Sequence, residues 1–188
     1  MPTASIDVGR DEALARRIES AIQIVVGFPR DRIRFRDISP VIERDPALFR
    51  AAIDAMEGFH AADPPDGIVG VEAWGFVFAA PLAYRLGCRL VLARRADKLP
   101  RETIATSYDM SYAQGRGLAL HRDALRAGER IVIVDDVVAS GGTALAAASL
   151  VARAGARCVG VTCLAAFVDW GARLIAEQGI SVNAVARL

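Results

Sequence analysis

Apolar residues along this chain follow two periods. Leu14, Ile18, Ala21, Ile22 and Val25 recur at three- and four-residue steps, which predicts an amphipathic helix over residues 11–25, broken by Gly27-Phe-Pro29. Ile33 to Arg36 alternates apolar and basic, which predicts a short strand. Asp45-Pro46 offers an N-cap followed by proline in the first turn, opening a helix with Leu48, Phe49, Ala52, Ile53 and Met56 inward. Asp63-Pro-Pro-Asp-Gly67 then reads as a loop.

Beyond that loop the pattern changes to short continuous apolar runs. They lie at 68–71, 89–93, 130–134, 158–164 and 180–185, with helical segments at 75–86, from the glycine loop through Arg153, and at 169–177. Such runs alternating with helices predict βαβ units, hence an α/β fold with a parallel sheet covered on both faces. Residues 94–121 do not fit. Arg94 to Glu102 is polar and interrupted by Pro100, while 103–112 and 117–121 alternate around Ala113-Gln-Gly-Arg116, which predicts an antiparallel hairpin turning there.

The most informative stretch is Val132-Ile-Val-Asp-Asp-Val-Val-Ala-Ser-Gly-Gly-Thr143. A buried strand ends in two acids, and Ser140-Gly-Gly-Thr143 opens a helix. A helix N-terminus presents unpaired N–H groups and partial positive charge, which suits a phosphate. Gly141 and Gly142 let the backbone approach closely, and Ser140 and Thr143 add hydroxyls. Adjacent carboxylates accept hydrogen bonds from a vicinal diol or hold a metal-bound ligand. Together these features describe a ribose carrying a 5-phosphate. The P-loop pattern fails because no Lys follows the glycines, and no GxGxxG is present. The competing reading is a plain capped turn, which leaves paired acids at a strand end without a partner.

Composition narrows the rest. With 188 residues, 53% hydrophobic and 24% charged, the chain suits a single globular domain. A net charge of +1 supplies no global field for nucleic acid or an anionic membrane, so an anion site must be built locally. Cys88, Cys158 and Cys163 stand in apolar contexts, as core residues, and His60 and His121 are too few for a histidine metal site. His121 reads as a surface residue, and Trp170 as the anchor of a helix start. No targeting or membrane-spanning run is visible, so the expected place is the cytoplasm. Of the 23 basic residues only Lys98 is Lys, a hint that this position wants an ammonium group.

The 132–143 segment closely resembles the phosphoribosyl-diphosphate signature of the type I phosphoribosyltransferases. Phe35-Arg-Asp-Ile-Ser-Pro40, Gly70-Val-Glu-Ala-Trp-Gly-Phe76, Lys98-Leu-Pro100, Tyr108 to Tyr112 and Asp123-Ala-Leu-Arg-Ala-Gly128 resemble the adenine phosphoribosyltransferases, in order and over roughly residues 12–185. The resemblance implies one domain over 1–188. A hood of about 1–45 plus part of the C-terminus would close over the base, the core would span about 46–185, and a lid and hairpin would span about 94–121. It implies transfer of ribose 5-phosphate from phosphoribosyl diphosphate to adenine, giving AMP and diphosphate, with Mg²⁺ as cofactor and a homodimer as the assembly. The Asp135–Asp136 pair is compatible with a hard cation without demanding one.

Carried over residue by residue, the resemblance puts Asp135 and Asp136 at the ribose hydroxyls and Ala139, Ser140, Gly141, Gly142 and Thr143 around the 5-phosphate. Glu72, Ala73, Trp74 and Gly75 become the diphosphate loop. Arg94, Arg95 and Lys98 supply positive charge, in part to the neighbouring subunit. Arg34, Phe35 and Arg36 contact the base, and Ser111 and Tyr112 join Lys98, Asp135 and Asp136 as the residues nearest the chemistry. Two positions depart from the family. Trp74 stands where the diphosphate loop usually carries Arg, and Ser111 where a Glu usually precedes the hairpin tyrosine. Both departures fall at the chemistry, so two alternatives stay open: transfer to another purine or heteroaromatic base, and a non-catalytic sensor of phosphoribosyl diphosphate or nucleotide.

Overall fold

The chain begins with β1 (Ile6–Val8), α1 (Glu12–Ala21), β2 (Gln23–Val26), β3 (Arg34–Asp37), α2 (Ser39–Glu43) and α3 (Pro46–Gly58). It continues through β4 (Gly67–Val71), α4 (Gly75–Leu86), β5 (Arg89–Ala93), β6 (Thr103–Met110) and β7 (Ala113–His121). It ends with β8 (Arg130–Val138), α5 (Gly142–Arg153), β9 (Arg157–Ala166), α6 (Arg173–Glu177) and β10 (Val182–Arg187). The computed structural model describes residues 4–110 and 113–188, so Ser111 and Tyr112 lie outside the described residues. Among the described residues no helix is long and apolar enough to cross a membrane.

Six strands form one parallel sheet in the order β1-β10-β9-β8-β4-β5. Alternation within each strand feeds two helical layers. Val69, Ile131 and Ile133 pack with α5 and α6, whereas Ile68, Val132 and Val134 pack with α1, α3 and α4. Burial on both faces explains why these strands read as continuous apolar runs. From β4 the chain winds outward to β5, then returns to lay β8, β9 and β10 on the other side. The crevice between β4 and β8 is therefore a topological switch point, where open α/β sheets bind ligands.

The first predicted helix is shorter than its periodicity. Asp11 caps it, accepting from the Ala13 and Leu14 N–H groups at 3.0 Å, and it ends at Ala21. Residues 23–26 form β2, antiparallel to β3, with Val25 opposite Phe35. The β-branched run Ile24-Val25-Val26 favours extended backbone and wins over helical spacing. β1 joins the central sheet and α1 buries Leu14, Ala15 and Ile18 in its core, while β2 and β3 form a two-stranded sheet of their own. The hairpin also differs from expectation: Met110 pairs with Ala113, so Ala113 to Arg116 belongs to β7 and not to a turn. At the far end, Val168–Ala172 is a π turn, and α6 begins only at Arg173.

Candidate active site

A cavity of about 390 Å³ opens at the carboxyl ends of β4, β8 and β9. Its floor is β8. Asp135 and Asp136 line it, and the strand that carries them runs on past them to Val138. Asp135 is 9% exposed, and its Oδ1 accepts the Asp136 backbone N–H at 3.0 Å. Burial, and then the neighbouring Asp136 charge, push the Asp135 carboxyl well above its ordinary value, and burial also raises Asp136. Burial and mutual repulsion make ionising both acids together unfavourable, and a cation or a hydrogen-bonded diol would offset that repulsion.

One wall is the start of α5. No side chain caps this helix, so the amides of its first turn remain available to a ligand. Ala139, Ser140, Gly141 and Thr143 line the cavity, and Gly142 begins the helix. Gly141 is required by its backbone: its φ is 83°, and a Cβ would lie 2.9 Å from the Gly171 carbonyl oxygen. Gly171 braces the loop from behind, where any side chain would collide with the Ala139 carbonyl.

The opposite wall follows β4. Glu72, Ala73 and Trp74 line the cavity, while Gly75 lies beneath, where a Cβ would sit 2.7 Å from the Val134 carbonyl oxygen. The half-buried Glu72 carboxylate accepts the Arg95 backbone N–H at 3.0 Å and Arg94 Nη2 at 3.3 Å. Burial works to raise this carboxyl, but the Arg95 N–H and the Arg94 guanidinium outweigh it and hold it below its ordinary value. Arg94, Arg95 and Lys98 do not line this chain's cavity. Arg94 turns to Glu72, Arg95 pairs with Asp97 at 3.3 Å, and Lys98 is exposed in a 3-10 turn over Ala96–Lys98.

The roof is β3. Ile33, Arg34, Phe35 and Arg36 reach the cavity, and Phe35 packs edge-on against Phe28 at 5.1 Å between centroids. The Arg36 guanidinium lies 6.0 Å from the Phe167 ring centroid, joining roof to wall. Sequence reasoning missed Val137, Phe167 and Trp170 as lining residues. Trp170 does not simply anchor a helix start; it is 52% exposed at the cavity rim. Its signal was position, since it follows the strand beside the one carrying the acids. Away from the cavity, His60 is buried against Thr162 at 2.8 Å, and burial lowers it to about 4. Among the described residues no group of three or more His, Cys, Asp or Glu could hold a metal, so a cation here would need ligand oxygens beside the two aspartates.

The cavity thus brings together Phe35, a buried acid pair and an uncapped helix start. The phosphoribosyl transferase domain family model matches residues 41–178. The adenine phosphoribosyltransferase of Anaeromyxobacter dehalogenans strain 2CP-C is 46% identical over 148 residues, covering 79% of this chain and 85% of that protein. The adenine phosphoribosyltransferase of Chromohalobacter salexigens is 40% identical over 169 residues, covering 89% and 92%. Among solved structures, the Rhodothermus marinus adenine phosphoribosyltransferase superposes with a TM-score of 0.86 at 35% identity, covering 95% of this chain and 100% of that one. The Saccharomyces cerevisiae enzyme, solved with a dideoxy-imino-altritol bisphosphate and adenine, gives a TM-score of 0.82 at 30% identity, covering 93% and 99%. Likeness of this degree extends over most of the chain in both sequence and fold, and the chain belongs to the adenine phosphoribosyltransferase family.

Proposed function

We propose that this protein transfers the phosphoribosyl group of phosphoribosyl diphosphate to N9 of adenine, releasing AMP and diphosphate. The observation that carries this reading is the shared cavity, in which an uncapped α5 start and the Asp135–Asp136 pair lie beneath Phe35. In this reading the 5-phosphate takes the amides and hydroxyls of 139–143, and the two aspartates grip the ribose diol. The adenine ring lies under Phe35, flanked by Arg34 and Arg36. The bond from C1 of the ribose to the diphosphate oxygen breaks, that oxygen keeping the electron pair, while the bond to N9 forms, and the N9 proton passes to the departing diphosphate or to water. Ser111 would supply a hydrogen bond there and no useful base near neutrality.

The diphosphate falls to the loop Glu72–Gly75, chiefly through its backbone, because a carboxylate has the wrong sign. Two unit charges 4 Å apart oppose each other by about 4 kcal/mol at an effective dielectric of 20. Mg²⁺ suits the oxygen donors of Asp135 and Asp136 together with substrate oxygens, and when bound it would neutralise charge on the diphosphate. Arg95 and Lys98 are exposed outside this chain's cavity, which favours their serving the second subunit of a cytoplasmic homodimer, whereas the Arg94 guanidinium is held by Glu72 of its own chain. Tyr112 keeps, in this reading, the role at the chemistry that the family resemblance gives it.

The test incubates the pure protein with Mg²⁺, phosphoribosyl diphosphate and a panel of purine and other heteroaromatic bases, following nucleotide and diphosphate. AMP as the fastest product supports the proposal; product from another base alone contradicts it. Trp74 is the observation that favours such a second reading. It places a neutral ring, with one N–H donor, where the family usually carries a guanidinium.

A further inference from the structure

Glu72 lies in a loop assigned to an anionic ligand, yet its carboxylate is turned to groups of its own chain. Its backbone N–H donates to the Ala93 carbonyl at 3.0 Å, extending the β4–β5 ladder by one bond. One carboxylate oxygen accepts the Arg95 backbone N–H at 3.0 Å, and the other accepts Arg94 Nη2 at 3.3 Å. Three bonds from one residue therefore stitch the cavity wall after β4 to the chain leaving β5.

Arg94 carries the connection onward. Its backbone N–H donates to the Ala119 carbonyl at 3.0 Å, and its own carbonyl accepts the Ala119 N–H at 2.6 Å. Ala119 is fully buried in β7. The Arg94 guanidinium lies 6.0 Å from the Phe76 ring centroid, and its Nε is buried without an acceptor. Glu72 is the one carboxylate that pairs with Arg94 among the described residues. A half-buried guanidinium deprived of that partner would re-solvate or swing, and the backbone bridge to the hairpin would loosen with it.

We propose that Glu72 is a positioning residue that couples the root of the β6–β7 hairpin to the diphosphate loop, acting through Arg94 and the Arg95 backbone without touching substrate. It sets the shape of the loop assigned to the diphosphate and the seating of the hairpin root at Ala119. This deepens the proposed function and rests on it only where turnover is measured.

Hydrogen exchange on the ligand-free protein reads the coupling without substrate. Glu72→Gln keeps the shape and one acceptor oxygen but loses the charge and one of the two bonds. The Arg95 and Ala119 amides should exchange about tenfold faster or more, while the Ile133 amide in the central sheet stays unchanged. Unchanged exchange at Arg95 and Ala119, or equal acceleration everywhere, overturns the coupling. In turnover, Glu72→Gln should raise KM for phosphoribosyl diphosphate while leaving KM for adenine unchanged. Adding Glu72→Ala to Arg94→Ala should cost less than about twofold more, because both act on one path. Losses that multiply would mean that Glu72 acts on substrate independently, which refutes the proposal. Absence of turnover in the wild type refutes the proposed function and leaves the exchange result standing.

Discussion

At the residue scale, Asp135 shows function set against stability. Its carboxyl binds a proton more tightly in the folded chain than in the unfolded one, where the ordinary value is 3.8. The stability it contributes is full below that value and is lost as pH rises through the elevated folded value. Ionising Asp135 therefore burdens the fold. Asp135→Asn should raise Tm at pH 7 by a few degrees and have little effect near pH 3, while transfer falls by about a hundredfold or more. Thermal melts at both pH values and steady-state rates check this. Trp74 argues the other way. Trp74→Arg restores a charged contact worth about 1.4–4 kcal/mol to a desolvated diphosphate, roughly ten- to a thousand-fold in affinity or rate. Product inhibition by diphosphate measures it: tighter inhibition is expected in the variant, and unchanged inhibition means that Trp74 does not face that ligand. The acids and glycines were legible in the sequence because their chemistry is local, packed into a dozen consecutive residues. Phe167 and Trp170 were not, because only the pairing of β9 beside β8 brings them to the same cavity.

At the scale of elements, the phosphate-binding turn is held by contact as much as by its own sequence. Gly171 packs so closely behind Ala139 that a methyl group has no room, and the atom it would meet is backbone. Gly171→Ala should push the 139–143 loop into the cavity, destabilising the fold by about 1–3 kcal/mol and weakening phosphoribosyl diphosphate more than adenine. Calorimetric titration of the two ligands separates these effects; equal losses would mean a general defect. Helix α4 was readable to the residue, since Gly87 ends it in the left-handed conformation with φ 64°. The end of α1 was not, because helical spacing and β-branching pointed in opposite directions over residues 22–26 and the antiparallel pairing with β3 decided between them. Strand β1 is three residues long and exists only through its pairing with β10, a contact across almost the whole chain.

At the scale of the molecule, winding direction places the site. The sheet reverses between β4 and β8, so the loop after β4 and the acids of β8 face each other across one crevice, and β3 roofs it from a separate small sheet. Alternating runs were enough to foresee a parallel sheet, while the strand order needed the structure. The proposed dimer would give the positive charge outside the cavity a role. If Lys98 serves the neighbouring subunit, mixing Asp135→Asn protein with Lys98→Ala protein, each nearly inactive, should recover about a quarter of wild-type activity in re-formed dimers, since half are mixed and each holds one complete site. No recovery would place Lys98 in its own subunit's site or outside the chemistry.

If a ribose 5-phosphate rests on the start of α5 with its diol on Asp135 and Asp136, a crystal structure of the AMP complex should show the phosphate within hydrogen-bonding distance of the backbone N–H groups of residues 140–143, both ribose hydroxyls on the two carboxylates, and the adenine ring against Phe35. A phosphate bound elsewhere, or carboxylates turned away from the sugar, would contradict that placement.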